Sequence, residues 1–160
     1  MRKVFFSFHY ENDNWRVQQI KNMGIIEGQK ICNSNEWEQV KRGGDSSIKK
    51  WIDNNMYGCS CVVVLIGSQT ASRKWVEYEI KKALEDGKTL LGIYIHRLKD
   101  SNGNFDQKGE NPFDNLKIKS SGIPLSSFVD IKEPNFYDAY SDIKNNLSKW
   151  IEDAIDNRKN

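Results

Sequence analysis

The sequence lacks any uninterrupted apolar run of the ~18 residues that a membrane-crossing helix requires, which excludes an α-helical membrane protein. Met1-Arg2-Lys3 leads into only five apolar or small residues before His9, too few for the core of a secretory leader, so a cytoplasmic location is expected. Cysteine is scarce and odd in number. The odd count of Cys32, Cys59 and Cys61 argues against a disulfide framework, and the Cys59-x-Cys61 pair, inside an apolar run with no histidine or carboxylate close by in sequence, is expected to be buried thiols and not metal ligands. Net charge is small: 24 basic against 22 acidic residues give no argument for nucleic acid or an anionic membrane as partner. No Gly-x-Gly-x-x-Gly is present, which removes the dinucleotide fingerprint, and Gly87-Lys88-Thr89 precedes an apolar run where a phosphate loop would follow one. The acidic positions of a phospho-acceptor domain hold Ser7-Phe8-His9 and Ile66-Gly67-Ser68 instead. His9 and His96 have no serine or cysteine nucleophile on a recognisable turn, so triad hydrolysis is not expected.

What is present is the material of one folded domain. The chain has 160 residues, 38% hydrophobic and 11% aromatic, with no internal repeat, and residues 1–160 read as one unit. Three runs are almost continuously apolar: residues 4–8, 61–66 and 89–95. Such runs suit strands buried on both faces, as in a parallel sheet. Helical spacing falls between them, over residues 15–23, 45–56 and 72–85. A final helix is expected over about 136–157, with Asn135 as its cap, and Gly87 supplies a stop for the third. A weak second strand is expected near residues 30–32 and an edge strand near 127–131. Residues 97–127, holding Pro112 and Pro124, read as an irregular insertion. The alternation predicts an α/β, flavodoxin-like, doubly wound sheet of about five mostly parallel strands in the order 2-1-3-4-5, with helices on both faces.

In such a sheet the ligand crevice lies beyond the carboxyl ends of the strands, where their order reverses. The segments arriving there are Ser7-Phe8-His9-Tyr10 and Gly67-Ser68-Gln69-Thr70, with the helix that follows. On that helix Trp75 and Glu79 are four residues apart and share a face. This face is expected to be offset from the Val76/Ile80 stripe, so that an aromatic plane and a carboxylate can line the crevice together. The competing reading is a surface Glu79 paired with Lys81 or Lys82 while Trp75 covers the core.

These residues resemble a TIR domain, and more narrowly the TIR-like proteins of the bacterial Thoeris antiphage system. The likeness is carried by Val4-Phe5-Phe6-Ser7-Phe8-His9-Tyr10, Leu65-Ile66-Gly67-Ser68-Gln69-Thr70, Trp75-x-x-x-Glu79-Ile80 and Gly109-x-Asn111-Pro112-Phe113-Asp114. The resemblance implies that Glu79 is the catalytic residue for breaking the nicotinamide–ribose bond of NAD. It implies substrate contacts from Phe8, His9, Tyr10 and Trp75, and from Trp37 and Asp45 in a loop after strand two; Ser68 is expected either to cap the following helix or to meet a phosphate. No cofactor is implied, since NAD is the substrate.

The chemistry fits one carboxylate. Cleavage of an N-glycosidic bond passes through an oxocarbenium-like state, and nicotinamide leaves from a pyridinium as a neutral group needing no general acid. The resemblance further implies a cyclic ADP-ribose-type signal made on infection, a separate effector reached through that diffusible product, and self-association. A non-catalytic adaptor that binds other TIR surfaces is the alternative; an adaptor has no use for Glu79 beside Trp75. A nucleotide sensor of the same fold is a third reading, weakened by the lack of a phosphate-cradling loop.

Overall fold

The computed structural model describes residues 2–26 and 28–159, the side chain of the last excepted. Strands β1 (Val4–Ser7), β2 (Cys61–Ile66) and β3 (Thr89–Tyr94) form where the apolar runs predict them, and every residue in them is buried. The short strand β4 (Asp130–Lys132) adds a half-buried edge. All four pair in parallel, in the order β1-β2-β3-β4. Between and after them lie the helices α1 (Asn14–Asn22), α2 (Ser34–Arg42), α3 (Gly44–Met56), α4 (Lys74–Glu85) and α5 (Ala139–Lys159). Helices α1 and α5 pack together against the sheet, and α3 and α4 cover it as a second pair linked by the Tyr78 hydroxyl donating to Asp53 Oδ1 at 2.8 Å. This is the expected flavodoxin-like α/β arrangement.

The strand expected near residues 30–32 is not formed, and among the described residues the sheet has four strands instead of five. At the start of β1 a side chain takes a strand partner's place. Gln29 Oε1 accepts from the Val4 amide at 2.8 Å, and Gln29 Nε2 donates to the Arg2 carbonyl at 2.9 Å. One amide side chain thus bonds both to the first amide of β1 and to a carbonyl just before the strand, while Ile31 and Cys32 are still buried against the core. The remaining order is the predicted one with its outermost strand removed.

Two helical expectations are also corrected. Residues 34–42 form α2, where a loop was expected; the Asn33 side chain accepts from the Glu36 amide at 2.8 Å and so caps it. The last helix starts at Ala139, not near 136, because Asp138 takes the capping role by accepting from the Ser141 amide at 3.0 Å. Asn135 instead accepts from the Tyr137 amide, and Phe136 and Tyr137 are exposed. The buried stripe of α5 is Ala139, Ile143, Leu147, Ile151, Ala154 and Ile155. Gly87 does end α4, at φ +72°, with the Lys88 amide returning to the Ala83 carbonyl at 2.9 Å. All three cysteines are buried free thiols.

The insertion is irregular, as expected, but it is anchored. Buried Arg16 on α1 donates from Nε to the Leu98 carbonyl at 2.7 Å and from Nη2 to the Asn104 carbonyl at 3.0 Å. Phe113 is fully buried, with the Asn111 side chain accepting from its amide at 2.9 Å. Gly109 presses so closely on the end of β2 that a Cβ there would lie 2.1 Å from the Gly67 carbonyl oxygen. The Gly109-x-Asn111-Pro112-Phe113 motif therefore closes the insertion over the sheet.

Candidate active site

Residues after β1 and the first turns of α2 and α4 converge on one cavity of about 190 Å³. Phe8, His9 and Tyr10 come from the turn after β1, Trp37 from α2, and Trp75 and Val76 from α4, with Glu11, Arg73 and Lys74 at the wall. Five of the predicted site residues are thereby brought together: Phe8, His9, Tyr10, Trp37 and Trp75. Tyr10 is the centre of an aromatic cluster. Its ring stacks on Trp37 at 4.5 Å and 27°, and meets Phe8 edge-on at 4.6 Å.

Glu79 lies behind this cluster and does not line the cavity. It is completely buried, with Oε1 accepting from Ser7 Oγ at 2.6 Å and Oε2 accepting from the Tyr10 hydroxyl at 2.6 Å. The helix explains why. Val76, Glu79, Ile80 and Ala83 fall at i, i+3, i+4 and i+7, the spacing of a core-facing stripe, so Glu79 belongs to the buried face and is not offset from it. Trp75, one position away, is half-buried beside that stripe and carries the Lys74 ammonium 4.8 Å from its ring centre.

Burial sets the protonation of the cluster. The Glu79 carboxyl is pushed up to about 8 by loss of water, against the opposing pull of hydrogen bonds from Ser7 and Tyr10. Burial, then the adjoining Glu79, raises Tyr10 well above the ordinary phenol range. Burial and the nearby Arg73 lower His9, whose Nδ1 accepts from the Asn12 amide at 3.1 Å.

Two predicted contacts lie elsewhere. Asp45 is on the exposed rim, in α3, paired with Lys74, and does not line the cavity. Ser68 donates to Asp106 Oδ2 at 2.8 Å and neither caps α4 nor lines the cavity; α4 begins after Arg73 with no side-chain cap. Trp37 stands on α2, not in a loop. Sequence reasoning missed the direct bond of Ser7 to Glu79. The available signal was a lone hydroxyl in an otherwise apolar strand. It also missed Arg73. Of the charges around the cavity, Glu11 pairs with Lys41 at 3.0 Å and Lys74 with Asp45, whereas the Arg73 guanidinium bonds only to Gln69 among the described residues.

A second buried carboxyl supports the crevice floor. Asp13, fully buried, accepts from Asn12 Nδ2 at 3.0 Å and from Thr70 Oγ1 at 3.5 Å, and burial raises it to about 6. Thr70 in turn accepts from the Gly67 amide at 2.7 Å. No group of three metal-ligating side chains occurs among the described residues, nor is any helix of theirs long and apolar enough to cross a membrane.

Residues 5–100 match the family described as Thoeris protein ThsB, TIR-like domain. The chain belongs to the ThsB TIR-like family. It is also similar to a protein of Bacillus cereus (strain MSX-D12) whose name reads "Putative cyclic ADP-D-ribose synthase ThsB1". The two are 39% identical over 125 residues, which is 75% of this chain and 65% of that relative. The chain thus spans about 65% of the length of the ThsB relative it matches. The ThsB match runs from within β1 through β3, and takes in every residue of the cavity and of the Ser7–Glu79–Tyr10 cluster.

Proposed function

We propose that this ThsB-family protein is an NAD nucleosidase that converts NAD into a cyclic ADP-ribose-type signal in antiphage defence. The observation that carries the reading is one carboxylate, Glu79, held by two hydroxyls at the carboxyl end of β1 behind an aromatic cavity. The name of the Bacillus cereus relative supports the product class.

The residues suggest the following division of labour. The C1′–N bond of the nicotinamide riboside breaks with its electron pair passing to nicotinamide, which departs neutral. Glu79, which holds its proton while buried, stabilises in its ionised form the positive charge that develops on the ribose, and accepts hydrogen bonds from the ribose hydroxyls. A nucleophile in the substrate's own adenosine half then bonds to C1′ and closes the ring, its proton passing to solvent; water in its place would give ADP-ribose and release a proton in the same way. No electron is gained or lost overall. Trp37, Phe8 and Trp75 offer stacking surfaces for the flat rings. Arg73, without a counter-charge, is suited to the pyrophosphate. The product diffuses to a separate effector, and self-association of the protein belongs to the same proposal.

The complete burial of Glu79 favours a second reading, in which the carboxyl is a structural tie and the domain is a non-catalytic TIR adaptor. The test is NAD incubated with the purified protein, and with lysate from phage-infected cells expressing it, followed by chromatography and mass spectrometry. Release of nicotinamide with an ADP-ribose-mass or cyclic product, lost in Glu79→Gln, is the expected result. NAD left intact in both settings selects the adaptor.

A further inference from the structure

We infer that Tyr10 is a built-in occupant of the site, holding on Trp37 the place of a substrate ring and on Glu79 the hydrogen bond of a ribose hydroxyl, so that Glu79 is reached only when Tyr10 swings out. This inference rests on the nucleosidase reading. Four observations carry it. The phenol ring lies against Trp37 at 4.5 Å and 27°, the geometry a nicotinamide or adenine ring would adopt. Its hydroxyl donates to Glu79 Oε2 at 2.6 Å, as a sugar hydroxyl would. With Tyr10 in place Glu79 has no exposed surface, and the cavity in front measures about 190 Å³. Sites for drug-sized ligands run from ~300 to ~1,000 Å³, so this form does not enclose a dinucleotide.

The chain around Tyr10 is built to let it move. Tyr10 lies in the turn between β1 and α1, outside the sheet ladder. The turn is held on either side of the ring, by the Asn12 amide on His9 Nδ1 and the Asp13 amide on the His9 carbonyl at 3.0 Å. A side-chain rotation of Tyr10 therefore leaves the backbone hydrogen bonds intact. Glu11 connects the same turn to α2, through Lys41 at 3.0 Å and Trp37 Nε1 at 3.4 Å. Movement of α2, which carries Trp37, and release of Tyr10 are thereby coupled. The Ser7 hydroxyl, on the strand itself, stays with Oε1 and keeps the carboxyl oriented when Tyr10 departs, which makes Ser7 a positioning residue.

Tyr10→Phe keeps the ring and removes the hydroxyl. The expected result is a rise in basal NAD cleavage on the order of tenfold, with ADP-ribose bound tighter by a similar factor, since the competent fraction of the protein grows as the bond to Glu79 is lost. Affinity is read by titrating ADP-ribose against tryptophan emission, which also follows Trp37. Tyr10→Leu, lacking both the stack and the hydroxyl, should move both quantities further the same way, and decides the matter if Tyr10→Phe does not fold. Unchanged or weaker ADP-ribose binding in the folded variants overturns the inference. If every variant leaves NAD intact, the nucleosidase reading fails, while tighter ADP-ribose binding in Tyr10→Phe would still support Tyr10 as occupant.

Discussion

Ser7 Oγ and Glu79 Oε1, 72 residues apart in sequence, meet at 2.6 Å inside the protein with no water-accessible surface on either residue. Removing the hydroxyl leaves a buried carboxyl oxygen with one partner fewer. Ser7→Ala should lower unfolding free energy by about 1–3 kcal/mol, measured by urea denaturation. It should also reduce kcat more than it raises KM, because the carboxyl loses its orientation while the cavity is untouched.

Stability should fall as pH rises from 5 to 8. The sign follows from the direction of the shift: Glu79 has an ordinary value of 4.5 and is pushed up to about 8 when folded, so between those values the unfolded chain ionises while the folded one holds its proton. The loss amounts to an order of magnitude of 3–5 kcal/mol across that window. Asp13, raised from 3.8 to about 6, adds a smaller loss at the acid end. Glu79→Gln imitates the protonated carboxyl, and so should match the parent at pH 5 and exceed its stability at pH 8. Thermal denaturation of both proteins at the two pH values checks this; equal differences at both would contradict it.

Arg73 should act on binding and not on bond cleavage. Arg73→Ala is expected to raise KM for NAD on the order of tenfold, with kcat little changed, the worth of one charge-assisted contact to phosphate. Nicotinamide riboside, which carries no phosphate, should be turned over equally by parent and variant. A KM effect of the same size on both substrates would remove the phosphate role.

Gly109→Ala tests how the insertion is seated. Its Cβ would meet the Gly67 carbonyl oxygen at 2.1 Å and Ser68 backbone atoms at 3.0 Å, and backbone cannot yield as a flexible side chain can. A cost of about 1–3 kcal/mol is expected from such overpacking, seen as a lowered midpoint of thermal unfolding. Gly103→Ala has open space around it but a φ of +79°, so it should cost only about 1 kcal/mol, the strain of a left-handed backbone.

Much of the fold was legible because its strands are buried on both faces. Residues 61–66 and 89–94 carry no alternation to misread, and α4 carries both its stripe and its Gly87 stop. Helix α2 was hidden because its nine residues hold only Trp37 and Val40 as apolar side chains; the Asn33–Glu36 cap was the better signal. Ile31-Cys32 looks like a strand locally, but whether an edge strand forms depends on what else competes for β1, and Gln29 takes its first amide. At the site, Glu79 was visible through its spacing from Trp75. Its depth was written in a different spacing, from Val76 and Ala83, which makes a core stripe with a carboxylate in it.

The strand order carries a kinetic consequence. Val4 pairs with Cys61, and Cys61 with Thr89, so the loop that brings β1 home is about twice as long as the one joining β2 to β3, and it contains α1, α2 and α3. Longer loops close at greater entropic cost and tend to close later. Substitutions in β1 should then give φ-values near zero while those in β2 and β3 give larger ones. Because Ser7 and Tyr10 arrive with β1, the carboxyl of Glu79 would acquire its two hydroxyl partners only in the final step of folding.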